Sequence, residues 1–371
     1  MSFWRYDKSG MRKRLRILIV SFVGLSAFFL LFRLSSAQSF ADDIDVKCQQ
    51  QSVNVKLSSL DVFGHNMVTW LCWHGDLKDK TVQLVIHGLT YDHTYWDFPY
   101  QQPNYSYVKN AANAGYAVLN IDRIGSGLSD HPNDTEVSGT SGAFTIHQLV
   151  TDLRTGIFAN TQFSKIILVG HSAGSGMSLL EVSSYQDVDG MILSGFAHAF
   201  NPAAFTLIAT DFYPATLDPK FANSGYSPGY LTTVPGTRSQ LFYNLPDADP
   251  NVITLDETLK QTATSEELAD LPIILLPNVS LSIHVPVIIA NGQFDQLLCG
   301  TGTPCDNSQA MLAREQSFFS PNACLEAFIL PNSGHDINLH LNSASWYALA
   351  NDWANRRVGN STKNSPTQPC L

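Results

Sequence analysis

Two runs of alternating apolar and polar residues, Ser52-Val-Asn-Val-Lys-Leu57 and Met67-Val-Thr-Trp-Leu-Cys-Trp73, flank the turn-rich stretch Asp61 to Asn66. Alternation on both sides of such a connection predicts a β-hairpin between Gln51 and Gly75. Past the hairpin the apolar runs become continuous, at Thr81–Ile86, Tyr116–Ile121, Lys165–Val169, Gly190–Ser194, Val285–Ala290 and Leu325–Leu330. Short unbroken runs are what strands buried on both faces require. Helical spacing separates several of them, around Tyr105–Ala114, Thr145–Asn160 and Ser175–Glu181, and closes the chain over Leu339–Arg357. The alternation predicts an α/β architecture, a mostly parallel eight-stranded sheet with helices on both faces.

Phe196 to His284 breaks that rhythm. The segment is rich in Pro, Asn, Asp and aromatic residues (Phe205, Phe212, Tyr213, Tyr226, Tyr230, Phe242, Tyr243) and holds one helical pattern, Leu255–Leu271. It is too long for a bare connection, and its aromatic content argues against disorder. It reads as a cap, residues 196–284, inserted between the sixth and seventh strands. The core is then split into 38–195 and 285–358, with a tail at 359–371.

The first 37 residues are of another kind. Arg5, Lys8, Arg12, Lys13, Arg14 and Arg16 precede a 16-residue apolar run, Ile17–Phe32, and Ser35-Ser36-Ala37 offers small residues for cleavage. This is the three-part pattern of a secretory signal. The run falls short of the roughly 20 residues that span a bilayer, and a secreted product is the expectation. An uncleaved membrane anchor is the rival, since the basic region is long and Arg33 closes the run.

The chain holds 22 Lys and Arg against 32 Asp and Glu. Seven of the bases and one acid lie in the leader, leaving 15 against 31 and a net charge of −16. That balance argues against nucleic acid or an anionic membrane as partner. Six cysteines in an exported chain imply disulfides. Cys48 and Cys72 flank the hairpin and are paired here; the pairing of Cys299, Cys305, Cys324 and Cys370 stays open. With no CxxC pair and no HExxH, a zinc site has no support. Sequons at Asn104, Asn133, Asn278 and Asn360 fit surface glycosylation, although four in such a chain is near chance.

The candidate chemistry centres on Lys165 to Gly174, KIILVGHSAG, where an apolar strand runs through Gly170-His171-Ser172-Ala173-Gly174 into a helical pattern. A nucleophilic serine needs its hydroxyl lifted clear at the end of a sheet. A tight strand-to-helix turn does this only if the residues two before and two after the serine are small. Ser172 is therefore the candidate nucleophile.

The order hairpin, strand-His87-Gly88, strand-DxxGxGxS (Asp122 to Ser129), strand-GxSxG, insertion, strand-GxxD (Gly292 to Asp295), strand-Gly334-His335 resembles the α/β-hydrolase superfamily, in its capped, esterase-like branch, from about residue 50 to 358. The resemblance implies the α/β-hydrolase fold and a Ser-Asp-His triad. His335 matches the family's terminal histidine and would be the base. Asp295 matches the acid that orients it. Asp336 is the rival acid, and the Gly195-Phe-Ala-His-Ala loop after the sixth strand carries no carboxylate. Leu89 and Ala173 match the positions whose backbone N–H groups hold an oxyanion.

Gly125-Ser-Gly127 lacks the third glycine of a nucleotide loop and reads as a turn. His87 reads as structural. Tyr91, Trp96 and His171 are candidate substrate-binding residues, with packing of the cap as the plainer role for the aromatic rings. Hydrolysis of a small-molecule ester or lactone, with no cofactor and no metal, is the resulting expectation. Lipase, amide and carbon–carbon bond hydrolysis, or a non-catalytic binding role on the same fold, are its rivals.

Overall fold

The computed structural model describes residues 46–368; the leader assigned to residues 1–37 lies outside the described residues, as does Cys370. Among the described residues no helix is long and apolar enough to cross a membrane.

The sheet has eight strands: β1 (Lys47–Val55), β2 (His65–Trp73), β3 (Val82–Ile86), β4 (Ala117–Ile121), β5 (Ile166–His171), β6 (Gly190–Ser194), β10 (Val287–Gly292) and β11 (Glu326–Leu330), in the spatial order β1-β2-β4-β3-β5-β6-β10-β11. Only β2 runs antiparallel to its neighbours. Each central strand divides its apolar residues between two cores. Ile166 and Leu168 of β5 join Leu149, Leu153 and Leu179 on one face, and Ile167 and Val169 join Tyr107, Trp346 and Trp353 on the other. Period-two geometry with both faces covered is why these runs are continuously apolar. The helices on the first face are Gly139–Thr155 and Ala173–Tyr185; those on the second are Tyr107–Asn113 and Ser343–Arg357.

The hairpin forms as expected, and Cys48 lies directly opposite Cys72, with Cα atoms 4.1 Å apart and the disulfide made. A second disulfide joins Cys299 to Cys305, and no described cysteine is free. The expected helix at Thr145–Asn160 starts earlier, because Ser138 and Ser141 form a capping box, and it stops where Gly156 adopts φ 87°. The closing helix begins at Ser343 instead of Leu339.

The segment between β6 and β10 is an ordered, mixed layer. It contains a small antiparallel sheet of β7 (Phe212–Pro214), β8 (Tyr230–Thr233) and β9 (Ala263–Thr264) among short helices. The single helix expected over Leu255–Leu271 is corrected. A helix spans Pro250–Leu259, β9 follows, and a new helix starts at Ser265. Local capping outweighs the helical period here. Thr264 accepts from the Glu267 N–H while the Glu267 carboxylate accepts from the Thr264 N–H, the reciprocal pattern that starts helices.

Inside this layer Arg238, fully buried, makes two hydrogen bonds of 2.9 Å to Asp256 and lies over the Tyr91 ring at 4.2 Å. Arg238→Leu would leave Asp256 as an uncompensated buried charge. A loss of roughly 3–5 kcal/mol is expected, read as a lower urea midpoint against the unsubstituted chain.

Candidate active site

The turn between β5 and the helix Ala173–Tyr185 sets Ser172 at φ 54°, ψ −120°. L-residues rarely adopt this conformation, and the surroundings enforce it. The Ser172 N–H donates to the Ser194 carbonyl at 2.8 Å, and Ser175 Oγ donates to the same oxygen at 2.8 Å. A Cβ on Gly170 would lie 2.5 Å from Ser175 Cα, and one on Gly174 2.3 Å from the Ile86 carbonyl oxygen. Both glycines are needed because backbones meet there.

The same holds for the two motifs that deliver the other expected residues. A Cβ on Gly292 would lie 1.9 Å from the Gly334 carbonyl oxygen, so the turn after β10 and the turn after β11 touch backbone to backbone. That contact brings Asp295 to His335, whose Nδ1 lies 2.7 Å from Asp295 Oδ2. Asp295 Oδ1 accepts from the Leu297 and Leu298 N–H groups at 2.9 and 3.1 Å, which fixes the carboxylate. With Nδ1–H donating to Asp295, the lone pair sits on Nε2. That atom is buried and has no hydrogen-bond partner among the described residues. Burial draws the His335 imidazole down, but the Asp295 carboxylate, by its charge and its hydrogen bond, outweighs it and leaves His335 above the ordinary histidine value.

Ser172 and His335 line one cavity, together with Gly88, Leu89, Ala173, Tyr91 and His171. Among the described residues no hydrogen bond joins the Ser172 hydroxyl to His335. The remaining wall is almost wholly apolar, with Leu297 from the turn after β10 and Phe196, Phe200, Phe212, Leu268 and Leu271 from the segment between β6 and β10.

The Leu89 and Ala173 amides have no acceptor among the described residues. Arg123 sets the direction of the first. Its Nε donates to the His87 carbonyl and its Nη2 to the Gly88 carbonyl, both at 3.1 Å. In a trans peptide the C=O and N–H point oppositely. Drawing the Gly88 oxygen to Arg123 therefore turns the Leu89 N–H the other way. Arg123 is itself paired with the buried Glu267 of the inserted layer. His87 is structural, as expected: its Nε2 accepts from the Arg123 N–H at 3.1 Å. Neither Arg123 nor Glu267 was singled out from the sequence. The signals were a lone cation in a turn of small residues and the Thr264-x-x-Glu267 capping pattern.

Of the three candidate substrate-binding residues, Tyr91 and His171 reach the cavity and Trp96 does not. Trp96 is fully buried with its ring edge-on to Tyr95 and Tyr107, in the core beneath the closing helix. Its indole is simply too far into the second core layer to face the cavity.

His171 is neutral, held well down by burial and then by His335. Its Nδ1 lies 3.1 Å from Ser194 Oγ, and its Nε2 lies 3.1 Å from Asp336 Oδ1. Asp336, the rival acid, thus bonds His171 and the Tyr91 hydroxyl, while Asp295 bonds His335. Burial, and after it Asp256, push the Asp336 carboxyl up to about 7. His171, His335 and Asp336 also form one of the clusters that could hold a cation; His171 and Asp336 are committed to the hydrogen bonds just described, and His335 keeps only its Nε2 free.

The sequence profile of the alpha/beta hydrolase family matches residues 83–348. No curated protein matches the chain. Solved structures share the fold at low identity. A thermophilic esterase from Thermogutta terrifontis is 18% identical, covering 82% of this chain and 98% of its own, with a TM-score of 0.54. A carboxylesterase from Bacillus subtilis is 14% identical, covering 81% and 90%, with a TM-score of 0.53. A meta-cleavage product hydrolase from Pseudomonas fluorescens is 15% identical, covering 82% and 97%, with a TM-score of 0.51. With the family profile spanning most of the sheet and the whole inserted layer, the chain belongs to the alpha/beta hydrolase family.

Proposed function

We propose that the chain is an exported serine hydrolase that cleaves small-molecule carboxylic esters or lactones with an apolar acyl group, through an acyl-enzyme intermediate. The observation that carries this reading is the meeting of Ser172 with His335 on one apolar cavity, His335 Nε2 being unpartnered and its Nδ1 held by Asp295. Export rests on the leader pattern of residues 1–37.

In this mechanism His335 Nε2 takes the Ser172 proton as the hydroxyl oxygen attacks the ester carbonyl. Asp295 stabilises the imidazolium that results. The oxyanion is received by the Leu89 and Ala173 amides, which carry no internal acceptor that must first be broken. His335 then protonates the leaving alcohol, and water repeats the attack on the acyl-enzyme. Phe200, Phe212, Leu268 and Leu271 offer the acyl chain no polar partner, so binding there follows buried apolar area.

The test is labelling by a fluorophosphonate together with turnover of p-nitrophenyl esters from acetate to palmitate. Labelling at Ser172 and an optimum at a medium or longer chain are expected. An intact fold with neither label nor turnover would overturn the hydrolase reading in favour of a binding role.

A pH dependence follows from His335. The base works only as neutral imidazole, so activity is lost as pH falls through its pKa. Because that pKa is raised, the acid limb of kcat/KM is expected above the ordinary 6.5, measured with a soluble ester.

A further inference from the structure

Away from the cavity, the far end of the helix Ala173–Tyr185 meets the helix Gly139–Thr155 through three side chains that the proposed reaction does not use. His147 comes from the latter helix, Glu181 from the former, and Asp187 from the turn beyond it. One ligand atom from each lies within 4.8 Å of the others. His147 Nδ1 is 2.8 Å from Asp187 Oδ2 and 3.7 Å from Glu181 Oε1.

The feature that calls for an explanation is Glu181. It is fully buried, and neither carboxylate oxygen has a hydrogen-bond donor among the described residues; Asp187 Oδ1 has none either. Buried carboxylates are ordinarily bonded or neutralised. The nearest guanidinium, Arg154, is already spent on Asp189 and on the Asp187 carbonyl oxygen, both at 2.9 Å. Burial, and after it Asp187, push the Glu181 carboxyl up to about 9, so a proton neutralises it in the metal-free chain, and a bound cation would take that proton's place between Glu181 and Asp187.

We propose that His147, Glu181 and Asp187 bind a divalent cation of the zinc type, which ties the end of the nucleophile-bearing helix to its neighbour. One imidazole and two carboxylates suit zinc, since calcium and magnesium prefer oxygen alone. Bonds of about 2.0–2.2 Å in tetrahedral geometry set ligand atoms about 3.4 Å apart. The His147–Glu181 separation of 3.7 Å is close to that value, and the His147–Asp187 separation of 2.8 Å would open slightly. Asp187 lies in a turn and both it and His147 are partly exposed, so the ion has an entry path and the fourth position faces solvent. The His147 ring stacks on Tyr185 at 3.7 Å, which fixes the direction of Nδ1.

The test is calorimetric titration of chelator-treated full chain with zinc chloride, repeated with His147→Ala and Asp187→Asn, with cobalt absorption as a second readout of coordination. Binding of a single ion is expected, weakened at least about 100-fold in each variant, beyond what loss of an outer-sphere partner costs. Should His147→Ala fail to fold, Asp187→Asn, at a partly exposed turn, decides alone. Absence of binding at millimolar zinc would overturn the proposal. So would binding that survives both substitutions, including an ion that inhibits ester turnover and therefore sits at His171 and His335.

Discussion

Ser172→Ala is expected to lower kcat for any ester substrate by about 10⁶-fold while leaving the fold intact. The size follows from what the hydroxyl would do. Without it no acyl-enzyme can form, and His335 has nothing to deprotonate except stray water. Only the unpaired Leu89 and Ala173 amides and the apolar wall remain to favour the transition state, which is the source of residual rate in such variants. The control is built into the backbone. Ala keeps the Cβ that Gly88 packs against, at 3.1 Å from the position a Gly88 Cβ would take, and it meets the same strain at φ 54° as Ser. Thermal unfolding should therefore be almost unchanged, so that lost turnover cannot be assigned to lost structure. Equal turnover by the variant and the parent chain would remove Ser172 from the mechanism.

How far the sequence revealed this site depends on whether each constraint was local. The Ser172 turn was legible because its glycines are forced by contacts with backbone a few residues away or on the adjoining strand. The strands were legible because burial on two faces writes itself into continuous apolar runs. Their spatial order was not, since β3 sits between β4 and β5 and nothing in either strand's composition says so. Arg123 escaped notice because its partner Glu267 is 144 residues away and its carbonyl partners lie in another loop. The aromatic residues show the same limit. Tyr91, Tyr95 and Trp96 lie within six positions of one another, yet Tyr91 lines the cavity and Trp96 packs the core, because the Asp92-capped turn between them rotates one ring inward and another away.

The inserted layer reaches the chemistry by two polar routes of this long-range kind. Glu267 holds Arg123, which holds the carbonyls behind the Leu89 amide. Arg238 and Asp256 meet Tyr91, which meets Asp336 and through it His171. Both routes are buried, so the layer serves as part of the site's support as well as its apolar wall.

The two neighbouring carboxylates at His335 should respond very differently to loss of charge. Asp295→Asn is expected to cut kcat by about 10⁴-fold, because an amide facing Nδ1 favours the wrong imidazole tautomer and cannot stabilise the imidazolium. Asp336→Asn should cost far less, and the hydrogen bonds say why. Ser194 Oγ donates to the Gly170 carbonyl at 3.0 Å, so towards His171 Nδ1 it can only accept, and Nδ1 carries the proton. His171 Nε2 is then an acceptor, and the Asp336 Oδ1 that faces it at 3.1 Å must donate. A protonated Asp336 accords with its carboxyl being pushed up to about 7 by burial and Asp256. Asparagine reproduces that pattern, its amide N–H donating to His171 and its oxygen accepting from Tyr91. Steady-state kinetics of the two variants, with the acid limb of kcat/KM followed in each, separates the roles. Asp295→Asn should also move that limb down, since Asp295 is the main group raising His335. A larger loss in Asp336→Asn than in Asp295→Asn would transfer the orienting role to Asp336 and overturn the assignment.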